Sequence, residues 1–522
     1  MKTEKVDNKL HIKRSERATL SILKKIILII VSLILLAIQL LLIYLVFFKA
    51  SHISWVYIIV RAIGLICVIA IFDKNIVGSY KLLWTILILI APFIGTILFL
   101  LYGDERSFPK HKSRKIHRTI DKYLPVNAYS DIIRKIDPVA YKHITIVNNG
   151  THLPIYTRTD VTFYSDIEKK ANDLLEDMKN AKRYIFIEFF IISSGKMLDS
   201  VIEVLNQKGN EGIEIKVCYD AFGSKSGLKK KDVNRLKQIP NLTLVKFAPF
   251  GLSINIAVNY RDHRKLVIID GNIAYMGGDN LADEYANYKT RFGYWRDNAV
   301  RIEGEAVENC LFLFAETWYL STKKIIDMEK YKGNSSIPNT MNIVMPFGDG
   351  PTDSNNPACD LYNSITDNAK KYLYISTPYF IIDREFINHI CAASKSGVDV
   401  RILVPGIPDK KTVYVLTQSH FGDLLKAGVK IYRYKPGFNH AKNYICDDNY
   451  AVVGSINVDY RSLYLHFENG VYLSNDKSIL EMKKNFLDDL EKSEEIKLED
   501  YKKRNIFVRA IAFIMKIFSP LM

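Results

Sequence analysis

The chain has 522 residues, is 48% hydrophobic and 25% charged, and carries a formal net charge of +16 with a pI near 9.2. This balance excludes wholesale disorder and a mainly membrane-embedded protein, and the length allows two to four domains around a large core. Six cysteines (67, 218, 310, 359, 391 and 446) without C-x-x-C spacing exclude a disulfide-dense scaffold and a cysteine-based zinc site. The basic excess fits nucleic acid or an anionic membrane surface.

Residues 1–25 hold eight Lys/Arg against three acids, and 26–48 form a run of 23 uncharged residues broken only by Ser32 and Gln39. About 20 apolar residues span a bilayer core, so a transmembrane helix is expected there. The run is too long for a signal peptide. A second apolar stretch at 53–72 carries Arg61, which is costly in a membrane unless it snorkels or finds a partner. A third, 82–102, contains Pro92 and Gly95, both tolerated in membrane helices, and is expected to span. Residues 106–122 hold seven Lys/Arg against one acid. The positive-inside rule places both basic flanks in the cytoplasm. Two crossings with a cytoplasmic body satisfy that rule; three crossings require one flank to break it.

Between 125 and 500 the sequence alternates β-rich runs with amphipathic stretches, as an α/β protein does. The order recurs. The first copy has strand-like runs at 184–192 and after Gly212, then 242–247; the second has them at 372–382 and after Gly397, then 429–434. The turn-rich segment 325–355 reads as the join. The expected organisation is a membrane anchor at 1–105, repeats at 125–325 and 340–500, and an amphipathic segment at 501–522. In that last segment Ile506, Phe507, Ala510, Phe513, Ile514 and Ile517 fall at helical spacing beside Arg509 and Lys516. This suits either a helix lying in a membrane interface or one packed on the protein's own core.

Matching chemistry occupies matching places. His263, Lys265 and Asp270 are followed by Gly277, Gly278 and Asn280; His440, Lys442 and Asp447 are followed by Gly454, Ser455 and Asn457. Offsets from each histidine are +2, +7, +14, +15 and +17 in both copies. On a strand, His and Lys two apart share a face, so one imidazole and one ammonium can address one ligand. A third H-x-K at His11 lacks the later residues and serves as an internal control. His389, His420 and His466 have no Lys two residues on and read as core or surface histidines.

H-x-K-x4-D with G-G/S and Asn, present twice, resembles the phospholipase D superfamily. Tyr260-Arg-Asp-His-Arg-Lys, Gly277-Gly-Asp-Asn, Trp295-Arg-Asp, Phe467-Glu468 and the segment with Trp84, Pro92, Gly95 and Tyr102-Gly103 resemble the bacterial cardiolipin synthase family. The extra apolar run at 26–48 departs from its simpler, two-span members. The resemblance implies two tandem phospholipase D-like α/β sandwich repeats preceded by N-terminal transmembrane helices, in a multi-pass protein of a bacterial cell membrane. It also implies a phosphatidyltransferase that joins two phosphatidylglycerols into cardiolipin and glycerol. His263 is then the nucleophile and His440 the acid and base, although the near-symmetric copies leave that division open at the level of residues.

The residues themselves suit a phosphate site. Lys265 and Lys442 supply positive charge, Asn280 and Asn457 supply amide donors, and one imidazole can attack phosphorus while the other protonates a leaving alcohol. Each imidazole needs an acceptor on its other nitrogen; Asp297 and Glu468, 34 and 28 residues after the two histidines, are the matching candidates. Asp270 and Asp447 belong to the catalytic motif but read as mainly structural, and Gly277 and Gly278 suit a close backbone approach under the phosphate. No H-E-x-x-H, cysteine cluster or EF-hand loop calls for a metal, and no cofactor is expected. A phospholipase D-type hydrolase, a nuclease and an inactive membrane-interaction protein are the alternatives. Residues 123–500 sum to about −1, which disfavours a nucleic-acid binder. The excess lies at 1–25 (+5), 106–122 (+6) and 501–522 (+5), as suits phosphatidylglycerol and other anionic membrane lipids.

Overall fold

The computed structural model describes residue 41 and residues 54–74, 78–103, 130–247, 260–334, 337–338, 341–353 and 355–521. Apart from Leu41, the apolar run 26–48 lies outside the described residues, as do the basic flanks 1–25 and 106–122. The chain divides into two compact units, Met1–Ser107 with Phe250–Val258, and Phe108–Pro249 with Asn259–Met522.

In the first unit, helices α1 (Ser54–Asp73), α2 (Gly78–Ile90) and α3 (Pro92–Tyr102) pack around Cys67, Val68, Ile71, Ile88 and Phe99. The single helix expected over 82–102 is corrected here to two. Pro92 lacks an N–H and clashes with a preceding helical turn, so it opens a new helix instead of continuing the old one. The chain folds back at this break. A Cβ on Gly95 would stand 2.4 Å from the Leu87 carbonyl oxygen, whereas residues eight apart on a straight helix are about 12 Å apart. Arg61, in the middle of α1, rests its guanidinium 5.0 Å from the Tyr57 ring centroid, a favourable cation–π distance. Among the described residues no helix is long and apolar enough to cross a membrane.

The second unit is mixed α/β with two large sheets. Its first half has β1 (Thr159–Tyr164), β2 (Tyr184–Phe189), β3 (Glu214–Asp220), β4 (Leu242–Phe247), β5 (Lys265–Ile269), β6 (Ile273–Gly277), β7 (Tyr294–Arg296) and β8 (Ala299–Gly304). The second half has β9 (Ile343–Asp349), β10 (Tyr372–Ser376), β11 (Phe380–Ile381), β12 (Asp399–Pro405), β13 (Lys430–Tyr434), β14 (Gly437–Asn439), β15 (Asn443–Cys446), β16 (Tyr450–Gly454), β17 (Val458–Asp459), β18 (Glu468–Ser474) and β19 (Ser493–Ile496).

The strand orders are β1-β8-β6-β5-β2-β3-β4 and β9-β18-β16-β15-β10-β12-β13-β19. Strand for strand these are the same arrangement, with β19 added at the second edge. β2 and β10 sit centrally and are buried throughout. β2 pairs in parallel with β3 and β10 with β12, and each pairs antiparallel with the strand that follows the histidine. Near-continuous apolar sequence is what such doubly covered strands require. Part of the expected join at 325–355 is in fact β9, an edge strand paired with β18 and buried along its length. Its glycine, Gly348, reads as a turn signal, but a Cβ there would meet Arg264 Nη2 at 2.8 Å, so it marks close packing.

The two halves meet through β7 and β14, which pair in parallel, and through a bridge between Asp262 and Phe467. The largely buried helix Val307–Thr322 supplies Leu313, Glu316 and Thr317 to the interior beneath this meeting point. All six cysteines are buried and free. The terminal helix Ile506–Ile517 begins at Asn505, whose side chain accepts from Phe507 N at 2.8 Å. It buries Ala512 but leaves Ile506 and Phe507 69% and 75% exposed and Ile511 and Ile514 more than half exposed.

Candidate active site

His263 lies two residues before the first residue of β5, and His440 lies between β14 and β15. Each backbone N–H donates across the halves, His263 to Phe467 O at 2.8 Å and His440 to Arg296 O at 2.7 Å. The residue after each of those carbonyls is a carboxylate. Glu468 accepts from His263 Nδ1 at 2.8 and 2.9 Å, and Asp297 accepts from His440 Nδ1 at 2.7 Å. The pairing is therefore exchanged relative to sequence order: each histidine takes its acceptor from the other half. An ionised carboxylate can only accept, so Nδ1 carries the hydrogen and Nε2 is left with its lone pair.

Lys265 Nζ donates to His263 O at 2.5 Å, and Lys442 Nζ donates to His440 O. The halves are stitched further by Asn298, which accepts from Lys442 N at 2.9 Å and donates to Asn443, and by Asn469, which donates to Lys265 O at 3.1 Å. Both histidines and both lysines are buried.

Burial governs the charges. It pulls His263 down to about 3, Lys265 to about 7 and Lys442 to about 8, and takes His440 well below its ordinary value with help from both lysines. Burial lifts Asp297 to about 6 against the pull of Lys442. Burial would lift Glu468 too, but His263, with smaller contributions from His466 and Lys265, outweighs it and holds that carboxyl below the usual range. The site thus holds two neutral imidazoles on two carboxylates beside two ammoniums at the edge of deprotonation. An incoming anion relieves this arrangement, because it repays the desolvation of the lysines.

Asp270 and Asp447, which belong to the motif but read as mainly structural, lie at the opposite ends of β5 and β15 from the lysine side. Asp270 accepts from the backbone N–H groups of Lys182, Arg183 and Tyr184 at 2.7–2.9 Å. Asp447 accepts from Lys370, Lys371 and Tyr372 at 2.6–2.8 Å. Both adopt the left-handed conformation, φ 55° and 53°, and both anchor the start of a central strand about 17 Å from the lysine end. Gly277 and Gly278 also differ from expectation. Cβ atoms there would strike Asn298 O at 2.6 Å and Asp297 Oδ1 at 2.3 Å, so the close approach is to the neighbouring strand and the carboxylate.

Asn280 Oδ1 accepts from Ile191 N at 2.9 Å and its Nδ2 donates to Tyr285 Oη at 2.6 Å. One amide hydrogen remains uncommitted. Asn457 is buried, and its Oδ1 has no hydrogen-bond partner.

Three further residues take roles here that the sequence did not assign, Ser455 of the motif among them. Ser455 Oγ donates to Glu468 Oε2. Arg264, fully buried, donates Nε to Glu468 O at 3.1 Å, Nη1 to Leu313 O and Nη2 to Glu316 Oε2 at 2.7 Å. His466, expected in the core or on the surface, places its ring 5.4 Å from that of His263. The signal available for His466 was its position two before Glu468 on one face. His263, His466 and Glu468 also bring one ligand atom each within 4.8 Å of one another. Lys265 and Lys442 make that neighbourhood electropositive, which suits an anion better than a metal ion.

Fold and site together define a phospholipase D-type protein built from two halves. Residues 363–490 match the family model described as cardiolipin synthase, PLD-like domain. The chain is 33% identical to a cardiolipin synthase of Clostridium perfringens, over 84% of this chain and 93% of that one. It is 34% identical to cardiolipin synthase 2 of Staphylococcus epidermidis, over 87% and 95% respectively. An uncharacterized protein of Streptococcus mutans is 36% identical over 84% and 96%. Among solved structures, phosphatidylserine synthase of Haemophilus influenzae shares the fold, with a TM-score of 0.55 at 16% identity over 73% of this chain and 97% of that one. The chain belongs to the cardiolipin synthase family of the phospholipase D superfamily.

Proposed function

We propose that the protein is a membrane-bound phosphatidyltransferase that condenses two phosphatidylglycerol molecules into cardiolipin and glycerol through a phosphohistidine. The exchanged His–carboxylate pairs carry this reading, because they prepare two Nε2 lone pairs for opposite duties at one phosphate. His263 Nε2 attacks the phosphorus of the first phosphatidylglycerol, and the phosphorus–oxygen bond to glycerol breaks. The leaving oxygen takes a proton from His440 Nε2, and glycerol departs. His440 takes that proton from solvent as the substrate binds, because the substrate's negative charge offsets the repulsion of Lys442 and Lys265 on its ring.

In the second half-reaction, neutral His440 takes the proton of a hydroxyl on the second phosphatidylglycerol. Its oxygen bonds to phosphorus as the phosphorus–nitrogen bond breaks, and His263 is regenerated. Lys265 and Lys442 neutralise the phosphoryl oxygens, with Asn280 and Asn457 as amide donors. Glu468 and Asp297 hold the imidazoles. No metal or cofactor takes part.

The organisation follows the same reading: an anchor at 1–105 that makes the protein multi-pass in a bacterial cell membrane, repeats at 125–325 and 340–500, and an amphipathic segment at 501–522. Exposure of Ile506, Phe507, Ile511 and Ile514 supports a helix lying on the lipid surface. Protein reconstituted with phosphatidylglycerol alone should yield cardiolipin and free glycerol in equal amounts. Phosphatidic acid as the main product would make it a hydrolase instead.

A further inference from the structure

The two halves of the site share their backbone course, histidine, lysine and an acidic partner for the histidine, and differ at several equivalent positions, Gly278 against Ser455 among them; one such pair flanks the two carboxylates. Trp295 stands two residues before Asp297, and His466 two residues before Glu468. Each ring lies against the histidine that its carboxylate serves: Trp295 is 5.3 Å from His440, and His466 is 5.4 Å from His263. Each also turns a ring nitrogen towards that carboxylate. Trp295 Nε1 donates to Asp297 Oδ2 at 3.4 Å, and His466 Nδ1 stands 3.7 Å from Glu468 Oε1, beyond hydrogen-bond reach. Neither nitrogen of the buried His466 ring has a hydrogen-bond partner, and both are shielded from solvent. A buried imidazole with both nitrogens unpaired calls for an explanation. Direct contact with substrate does not supply one, because the nitrogens are closed off.

We propose that His466 is a positioning residue for His263, acting through Glu468. It rests on the phosphohistidine reading and deepens it. When the phosphoryl group sits on His263 Nε2, the ring keeps its hydrogen on Nδ1 and carries positive charge, which is what makes the nitrogen a good leaving group. Glu468 must accept that hydrogen bond without removing the proton. His466 closes on Oε1 as a donor while Ser455 occupies Oε2, and together they keep the carboxylate too weak a base to take it. As the acceptor alcohol attacks, the phosphorus–nitrogen pair returns to Nε2, the alcohol proton goes to His440, and the Nδ1 hydrogen stays in place. Trp295 serves Asp297 in the same way through an N–H that never titrates.

The test compares full-length His466→Phe, which keeps a ring but no nitrogen, with His466→Asn, which restores a side-chain N–H, and reads kcat, KM and acid-labile phosphohistidine trapped by quenching with labelled phosphatidylglycerol. His466→Phe should lower kcat about tenfold, the loss of one hydrogen bond to a charged group, with KM within about twofold and more phosphoenzyme trapped at steady state. His466→Asn should recover most of kcat. If the Phe variant does not fold, His466→Leu gives the same reading. Wild-type kcat and phosphoenzyme levels in the Phe and Leu variants overturn the proposal, as does a raised KM at unchanged kcat. A wild-type protein that makes phosphatidic acid through a phosphohistidine removes the transferase reading but leaves this comparison intact, whereas one that forms no phosphohistidine overturns both.

Discussion

Glu468 holds His263 Nδ1 at 2.8 Å from 205 residues further along the chain, and the reciprocal pair, Asp297 and His440, is separated by 143. Each half thus supplies the reactive ring of one pair and the acceptor of the other, and neither half has a complete His–carboxylate unit of its own. The first expectation follows directly. Glu468→Gln and Asp297→Asn keep the shape but lose the acceptor that fixes the tautomer, and each should lower kcat by about 10²–10⁴. The two losses should differ in kind. Glu468→Gln should suppress phosphohistidine formation, whereas Asp297→Asn should do so less with a substrate whose leaving group needs no proton. Equal behaviour of the two variants with such a substrate would count against the division of labour between His263 and His440.

The lysines set the pH dependence. Lys265 and Lys442 are brought down to about 7 and about 8, burial being the main cause. A bound phosphodiester favours their charged forms and raises both values. Binding therefore takes up protons wherever the lysines have lost them. Affinity should be full below about pH 7 and fall as pH rises through 7 and then 8, by up to about tenfold per pH unit for each lysine. KM for a short-chain phosphatidylglycerol, measured from pH 6 to 9.5, should climb on the alkaline side; a flat KM would refute the assignment of both lysines to the phosphate.

Asp270 and Asp447 should behave as stability residues. Each satisfies three backbone N–H groups at the start of a central strand. Replacing either by Ala should cost about 2 kcal/mol, in the range of hydrogen bonds to a charged group. Thermal melting should shift down while kcat per folded molecule stays near wild type. A large fall in kcat with unchanged melting would put these aspartates back in the chemistry.

The contrast between these aspartates and the histidines explains what could be read from sequence. The repeat was legible because the His, Lys, Asp, Gly and Asn offsets are local, set by one pair of adjacent antiparallel strands and the turn between them. The central strands at 184 and 372 were legible because burial on both faces demands unbroken apolar sequence. Crossed pairing was not legible, since which carboxylate meets which histidine depends on how two separate sheets face each other. His466 and Arg264 were hidden for the same reason: His466 touches His263 and Arg264 reaches Glu468 O only across that junction. The break at Ala91 shows the converse, where a local Pro92 overrode a hydropathy pattern that read as one continuous span.

Metal removal gives a further check. In the proposed mechanism Lys265 and Lys442 place positive charge at the phosphate, the duty a divalent ion would otherwise perform. Activity should be unchanged in EDTA. Loss of turnover that Mg²⁺ restores would require a different mechanism, and His263, His466 and Glu468 would be the first residues to inspect.

The terminal helix offers a prediction that does not involve the chemistry. Ile506, Phe507, Ile511 and Ile514 are exposed on a segment whose residues 501–522 carry five basic groups and no acid. Burying one large apolar side chain is worth about 1.5–3 kcal/mol, so Phe507→Glu should weaken attachment of this face to a bilayer by about tenfold or more. The anchor at 1–105 would mask that loss in a simple partition assay. The informative measurement is therefore fluorescence from an environment-sensitive dye at position 511, introduced as Ile511→Cys, in full-length protein reconstituted into phosphatidylglycerol vesicles. The dye should report an apolar setting that Phe507→Glu and high salt both diminish, while a water-like signal in every condition would mean that the helix does not rest on lipid.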